Sequence, residues 1–311
     1  MASILSRNFS IQFYPNFKII MYRGIVMLLL AELCFASATV FAKFITNNSD
    51  IPAIEITFFR FLFGIIFAFT LLKKSKSSLK PNNKKFVIWR GILNTFAVIL
   101  FFTAVKHTTV TNANMLNMTY PIFIFMFMPF FATEKIKPIQ ILYLVISITG
   151  VYMVIQPNFN HLMYGDLIGL LSGIVGGISV ITLRKAREQD STVVIIFYLM
   201  TIGTIINGIL LLAVFKMPNF IQSVNIIFSA LLGLGGQIFI TSGYKYIEAN
   251  KGSIISSSRI IFAVILGVIF FNDRLNIELI IGGLFILFSV IQLTLSERKL
   301  AKSKLELDEQ L

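Results

Sequence analysis

Charged side chains are scarce in this sequence. They make up 13% of the 311 residues, whereas a soluble globular protein carries about 25%. Such a chain cannot cover a water-facing surface, which excludes a soluble enzyme, a disordered protein and a nucleic-acid-binding domain. The excess of 27 basic over 14 acidic residues does not indicate nucleic-acid binding either, because the basic residues lie between apolar runs and form no stripe on one face.

Residues that bind metals or form disulfides are scarce as well. The single cysteine, Cys34, excludes a disulfide framework and an all-cysteine metal site. The two histidines, His107 and His161, are too few for a histidine-rich metal centre. The sequence therefore predicts no catalytic residues, no metal and no other cofactor.

Apolar residues, in contrast, are abundant: they form 56% of the chain, and the mean hydropathy is +0.84. A bilayer core is about 30 Å thick and is crossed by roughly 20 helical residues. The apolar run from Pro121 to Met128 does not alternate as the strands of a membrane barrel do, so we predict an all-α integral membrane protein. Its ten transmembrane helices, numbered one to ten as spans, are predicted at 24–45, 54–72, 86–105, 112–132, 139–156, 164–183, 192–215, 224–244, 252–271 and 277–295.

The segments outside the spans are short. Residues 1–21 contain Arg7, Lys18 and scattered apolar residues, and we interpret them as a mobile cytoplasmic leader, with Met21 as a second possible start of translation. The first span is longer than the core of a signal peptide, about 7–15 residues, so it is expected to remain in the mature protein. The charged tail, 297–311, is predicted to continue the last span as a frayed cytoplasmic helix.

The distribution of basic residues predicts the orientation in the membrane. Cytoplasmic loops carry the excess of Lys and Arg. Of the 27 basic residues, 21 lie in segments predicted to share one side, which are 1–23, 73–90, 133–138, 184–191, 245–251 and the tail after 296. Both termini are therefore predicted to be cytoplasmic. The heavy use of Ile, Asn, Lys and Phe suggests an A·T-rich bacterial genome, so we expect a multi-pass protein of the bacterial inner membrane.

The two halves of the sequence resemble each other when one is shifted by 139 residues. The shift places Thr133-Glu134-Lys135 on Asn272-Asp273-Arg274, just after an apolar span in each half. We predict two five-helix repeats, at 22–156 and 164–296. Because five is an odd number, the second repeat must enter from the other side of the membrane, and inverted repeats are a recurrent transporter architecture. Two such halves can exchange conformations, which gives alternating access.

With these features the chain resembles the EamA-type family of the drug/metabolite transporter superfamily, from about residue 22 to 296. The resemblance rests on the ten spans in two repeats, on Phe58-Phe59-Arg60 in span two, and on Glu134 and Asp273, the acidic residues that close spans four and nine. Asp273 replaces the usual Glu, which is a mild departure. The resemblance implies transport of amino acids, nucleoside-like metabolites, vitamins or drugs, and it leaves the substrate open.

Two arginines, Arg60 and Arg259, lie well inside predicted spans, about 9–10 Å from the nearer end. A charged group at a helix centre costs at least about 2.5–3.5 kcal/mol in a membrane, so each is expected to face the bundle interior. There a guanidinium can bind a carboxylate or phosphate by two parallel hydrogen bonds. The alternative is that the arginines pair with Glu32 or Glu55 and only fix the helix register. The small residues on the helical stripe of Arg259, also typical of close helix packing, are Gly252, Ser256, Ala263 and Gly267.

Polar residues of span four are predicted to face the same cavity. The 139-residue shift pairs Tyr120 with Arg259 and Asn117 with Ser256. Pro121 frees a backbone carbonyl, which within a membrane must face a cavity or find another partner. A packing kink with hydrogen bonds between helices is the alternative. The predicted solute-binding residues are Arg259, Tyr120, Asn117, Asn114, Ser256, Arg60 and Gln237.

Glu32, near the middle of span one, is the predicted coupling residue. A buried carboxyl can take up a proton and release it as water reaches it from either side. A salt bridge to Arg259 or Arg60 would instead keep the carboxylate charged and would remove that role.

A secondary transporter of a small polar metabolite accounts best for these features. The intramembrane arginines favour an anionic or zwitterionic solute, amino-acid-like or nucleoside-linked, and the family resemblance adds S-adenosylmethionine as an example. An efflux pump for hydrophobic drugs is the alternative, which the 32 phenylalanines would suit and the arginines oppose. An intramembrane enzyme would need clustered histidines or carboxylates. The predicted spans contain no histidine, and the carboxylates Glu32 and Glu55 lie on different spans, so an enzyme is the less favoured alternative. The expected partners are the solute, protons as a candidate coupling ion and the lipid bilayer, with no nucleic acid, for a monomer or homodimer.

Overall fold

The computed structural model consists of helices joined by short turns and loops. It describes residues 2–46, 51–75, 79–107, 113, 116–131, 136–155, 164–271 and 277–309. No strand occurs in these ranges. The helices are α1 (Ala2–Thr46), α2 (Ala53–Ser75), α3 (Lys84–His107), α4 (Tyr120–Phe131), α5 (Pro138–Ile155), α6 (Tyr164–Arg187), α7 (Thr192–Leu211), α8 (Phe220–Gly243), α9 (Ala249–Ser256), α10 (Ser258–Phe271) and α11 (Ile277–Glu309).

Nine helical segments of 18 to 24 residues within the described ranges are long and apolar enough to cross a membrane. They correspond to nine of the ten predicted spans, with α9 and α10 together forming span nine. Span four is represented by the shorter apolar helix α4. The predicted all-α membrane fold is thereby confirmed. It follows from the bilayer, in which each backbone N–H and C=O needs an internal partner and a helix provides one.

The two ends of the chain are helical as well. Helix α1 begins at Ala2, so the segment predicted to be a mobile leader is a helix continuous with span one. The physical reason is that extending an existing helix costs far less than starting a new one. Helix α11 likewise continues to Glu309, as predicted for the tail.

The packing of the helices is symmetric between the halves of the chain. The largest interfaces join α3 to α6, α1 to α8, α5 to α11 and α2 to α7. If each helix of the first half is exchanged with its counterpart in the second half, the pair α3–α6 becomes the pair α8–α1. The pairs α5–α11 and α2–α7 remain the same under this exchange. This is the pattern of two inverted five-helix repeats related by a two-fold axis in the membrane plane.

Helices α5 and α11 cross at a pair of glycines, Gly150 and Gly282. A Cβ at Gly150 would lie 2.6 Å from the carbonyl oxygen of Gly282, and a Cβ at Gly282 would lie 2.6 Å from the carbonyl oxygen of Gly150. Only glycine permits so close an approach of two backbones. The neighbouring Gly283 has nothing within 4 Å of its Cβ position among the described residues.

This pair of neighbours allows a matched test of the packing. Gly282→Ala is expected to lower the free energy of unfolding by about 1–3 kcal/mol, because the new methyl group overpacks the crossing. Gly283→Ala should be neutral or stabilising by up to about 1 kcal/mol through its higher helix propensity. Thermal unfolding in detergent measures both, and equal effects of the two substitutions would refute the close crossing.

Candidate functional site

An ion pair joins the two halves within the bundle. Nε of Arg259, in α10, lies 2.5 Å from Oε2 of Glu32, in α1, and the Glu32 side chain is fully buried. The arginine therefore points into the protein, as a charge in a membrane span is expected to do. The sequence left Glu32 and Glu55 as possible partners of Arg259, and in the structure Arg259 pairs with Glu32.

The ring of Phe35, one turn beyond Glu32, brings Arg60 and Arg259 together. The guanidinium carbon of Arg259 lies 4.8 Å from the ring centroid and that of Arg60 lies 5.3 Å from it. Gly233 makes room for Arg60, since a Cβ there would lie 2.9 Å from Arg60 Cδ. Nε of Arg60 is buried and has no hydrogen-bond partner within the described ranges. The two arginines predicted from the sequence thus share one site.

A third arginine, Arg90, belongs to the same cluster and was missed by the sequence analysis. Arg90 was counted among the basic residues of the cytoplasmic segment 73–90, although predicted span three begins at 86. Helix α3 begins at Lys84 and buries Arg90 to 3% exposure. Its Nη1 donates a hydrogen bond to Ser179 Oγ at 2.7 Å. Arg90 lies near Tyr244 and close enough to Arg60 for the two positive charges to repel. The apolar residues on both sides of Arg90 were the signal that could have identified it.

Two tyrosines and a serine complete the cluster. Tyr120 and Tyr244 are buried and lie close enough to Glu32 to interact with its charge. Gly252 leaves space for the Tyr244 ring, since a Cβ at Gly252 would lie 2.9 Å from Cζ. The hydroxyl groups of Tyr120 and Tyr244 both lie within reach of the buried Ser256 Oγ. Tyr244 was not predicted, because it lies just where span eight meets a basic loop.

Spans four and nine, which carry most of the predicted solute-binding residues, are interrupted at equivalent positions. Span nine breaks at Ser257, between α9 and α10, and span four has a turn at Met118 and Thr119 before α4 begins. The 139-residue shift places Met118 on Ser257. The first turns of α4 and α10, which contain Tyr120 and Arg259, therefore lie beside the cluster. Pro121, expected to kink span four, lies in the first turn of α4, where its missing N–H costs little.

The remaining predicted residues lie in the walls. Asn117 Nδ2 donates a hydrogen bond to Ser172 Oγ at 3.0 Å, which joins span four to α6. Gln237 is buried, and its Nε2 donates to Thr241 Oγ1 at 3.2 Å along α8. These bonds match the packing alternative. The predicted residues Asn114, Glu134 and Asp273 lie outside the described residues.

At one end of the bundle a carboxylate of the second half holds a loop of the first. Asp190, between α6 and α7, is 4% exposed and accepts hydrogen bonds from the backbone N–H groups of Asn82 (2.6 Å) and Asn83 (2.9 Å), just before α3. Arg187 donates to the backbone carbonyl of Asp190. We call the contact of Asp190 with Asn82 and Asn83 the Asp190 latch.

The opposite end carries the symmetric counterpart. Glu55, in the first turn of α2, is fully buried, and its Oε2 accepts a hydrogen bond from the backbone N–H of Lys216, in the loop before α8, at 3.3 Å. We call this contact the Glu55 latch. Glu55 therefore does not pair with Arg60 or Arg259, which was one alternative. The two latches are equivalent. Asp190, just before α7, binds the loop before α3, and Glu55, at the start of α2, binds the loop before α8.

The chain matches the model of a known family twice. The EamA-like transporter family covers residues 22–156 and 163–295. The chain belongs to the EamA-like transporter family. It is therefore a multi-pass membrane transporter of the drug/metabolite type and not an enzyme, and its family implies a small-molecule solute.

Other EamA-like and solute-carrier proteins are similar over most of their length. The pseudopaline exporter CntI of Pseudomonas aeruginosa is 23% identical over 278 residues, which cover 88% of this chain and 97% of the exporter. Solute carrier family 35 member G1 of Homo sapiens is 28% identical over 269 residues, or 80% and 73% of the two chains. One crystal structure superposes with a TM-score of 0.71 at 16% identity, covering 92% of this chain and 99% of the other, and supports the fold.

Proposed function

We propose that the protein is a secondary transporter that carries a small anionic or zwitterionic metabolite across the bacterial inner membrane by alternating access. The observation that carries the proposal is the Glu32–Arg259 ion pair, which lies between the two halves with buried, unpaired polar atoms beside it. Such atoms are costly to bury without a partner. A bound solute would supply one.

The chemistry of Arg259 favours a carboxylate or phosphate on the solute. Its guanidinium already binds one carboxylate, that of Glu32. A solute carboxylate would take that place by two parallel hydrogen bonds. In this proposal Arg259, Arg60, Tyr120 and Ser256 contact the solute, and Asn117 and Gln237 support the walls.

The same pair assigns a role to Glu32. Glu32 forms a salt bridge to Arg259, which is the arrangement expected to remove the coupling role predicted for it. We therefore propose that Glu32 positions the Arg259 guanidinium for the solute and does not carry a proton.

The two latches are proposed to be the gates of alternating access. With both termini cytoplasmic, the Asp190 latch closes the cytoplasmic side and the Glu55 latch closes the external side. Each latch crosses between the halves. Rocking of one repeat against the other would release one latch while the other stays formed.

An efflux pump for hydrophobic drugs is the second candidate. It is favoured by phenylalanines near one end of the bundle, where the ring centroids of Phe44 and Phe271 are 5.0 Å apart and those of Phe41 and Phe228 are 5.2 Å apart. A lipophilic cation would, however, have to bind beside the arginines. We therefore rank it below the polar metabolite.

Solute binding by the purified protein distinguishes these functions. We expect anionic or zwitterionic metabolites to raise the melting temperature, since a ligand at 100 times its Kd stabilises by about 2.7 kcal/mol. The same solutes should exchange in proteoliposome counterflow. Ethidium, a lipophilic cation, should do neither. Stabilisation and exchange by ethidium alone would contradict the proposal and support the drug pump.

A further inference from the structure

The charges of the site do not balance. The guanidinium groups of Arg60 and Arg259 face the same ring of Phe35, and the buried Arg90 lies close enough to Arg60 for their charges to repel. Glu32 pairs with Arg259. Among the described residues, Arg60 and Arg90 are therefore left without a negative partner.

The partners that Arg60 and Arg90 do have are neutral. Arg90 donates to the hydroxyl of Ser179 and Arg60 faces the ring of Phe35. The Nε atoms of both arginines are buried with no hydrogen-bond partner within the described ranges. A hydroxyl or a ring face compensates a guanidinium far less than a carboxylate does. A charge removed from water requires such a partner.

Buried hydrogen-bond donors accompany the two positive charges. The Nε groups of Arg60 and Arg90 are buried without a partner in the described part of the chain, and the hydroxyl groups of Tyr120 and Tyr244 lie within reach of Ser256. An anionic group is acceptor-only and would bind these donors. The buried donors therefore agree with an anionic ligand beside Arg60 and Arg90.

From this balance we infer that the solute carries two negative charges at neutral pH, as a dicarboxylate or a phosphate monoester does. One anionic end binds Arg259 and the other, or the second charge of a phosphate, lies between Arg60 and Arg90. A zwitterion brings no net charge and a monoanion brings one, so neither neutralises the pair. The inference rests on the proposed function and narrows its class of solute.

Counterflow with the full-length protein in liposomes tests the charge requirement directly. The probes are succinate as dicarboxylate, glycerol 3-phosphate as phosphate monoester, butyrate as monoanion and alanine as zwitterion. We expect at least one dianion to half-saturate at a concentration about tenfold or more below that of butyrate, the effect of one additional charged hydrogen bond. The comparison of succinate with glycerol 3-phosphate identifies the preferred group.

Variants of Arg90 locate the second charge. Arg90→Gln is expected to reduce the preference for dianion over monoanion to about unity, whereas Arg90→Lys, which keeps the charge, should retain part of it. Arg23→Gln removes an exposed arginine at the end of span one and should leave the ratio unchanged. Because the ratio compares two solutes on one preparation, a loss of folded protein does not affect it.

Two failures remain distinguishable. If alanine or butyrate exchanges as well as both dianions, the inference of a dianion is overturned while the proposed transporter stands. If none of the four solutes and no other anionic or zwitterionic metabolite exchanges, the proposed function falls and the inference falls with it. An unchanged dianion preference in Arg90→Gln would overturn the assignment of Arg90.

Discussion

Arg259→Gln is expected to lower solute uptake by about 100-fold or more, because truncating one partner of a buried, hydrogen-bonded charge pair costs about 2–5 kcal/mol. The substitution removes the proposed anchor of the solute. It also leaves Glu32, which is fully buried, without its cation. Uptake per amount of protein in the membrane and the melting temperature in detergent are the two measurements.

The double variant Glu32→Gln with Arg259→Gln separates binding from folding. Arg259→Gln alone should be destabilised by about 3–5 kcal/mol, since it buries an uncompensated carboxylate. The double variant replaces both charges by neutral groups and should recover most of this stability. We expect its uptake to remain lost. Recovery of uptake together with stability would mean that the pair only fixes the helix register.

The second large effect is expected from the two latches: the substitutions Asp190→Ala and Glu55→Ala should each slow uptake and should compensate for each other when combined. Asp190→Ala and Glu55→Ala should each slow uptake by about fivefold or more, since each removes about 1 kcal/mol or more from one closed gate and biases the transporter toward one side. The double variant removes both biases and should transport faster than either single variant. Initial uptake rates, normalised to protein in the membrane, measure this.

A surface carboxylate supplies the control for the latches. Glu188 is exposed and pairs with Lys185 one turn away, a kind of pair that contributes little to stability. Glu188→Ala should therefore transport at the wild-type rate. If Asp190 and Glu55 served only to stabilise the fold, the double variant would be slower than either single variant, which would exclude their role as opposing gates.

The fold was predictable from the sequence because a membrane imposes simple rules. The length of apolar runs gave the spans, and the recurrence of an acid and a base after 139 residues indicated two repeats. The scarcity of charge also made Glu32, Arg60 and Arg259 conspicuous, and the structure brings these three together. Which acidic residue pairs with Arg259 depends on how α1 packs against α10, and periodicity within one helix contains no information on that.

The site residues that were not predicted from the sequence escaped notice for one common reason. Arg90 adjoins a basic loop, Tyr244 lies at the end of a span, and Phe35 is one of 32 phenylalanines, so that none differs from its surroundings in composition. The break in span nine falls within three consecutive serines rather than at a proline. Serine side chains compete for backbone hydrogen bonds, and this was the local signal for the break.

The accessibility of position 256 from each side of the membrane tests the central claim most directly. With Cys34→Ser as background, Ser256→Cys places a single thiol beside Arg259. A membrane-impermeant thiol reagent added outside right-side-out vesicles reports its exposure. We predict that Glu55→Ala raises the labelling rate and that Asp190→Ala lowers it. A change in the same direction in both variants, or in neither, would contradict two inverted halves that open the site alternately.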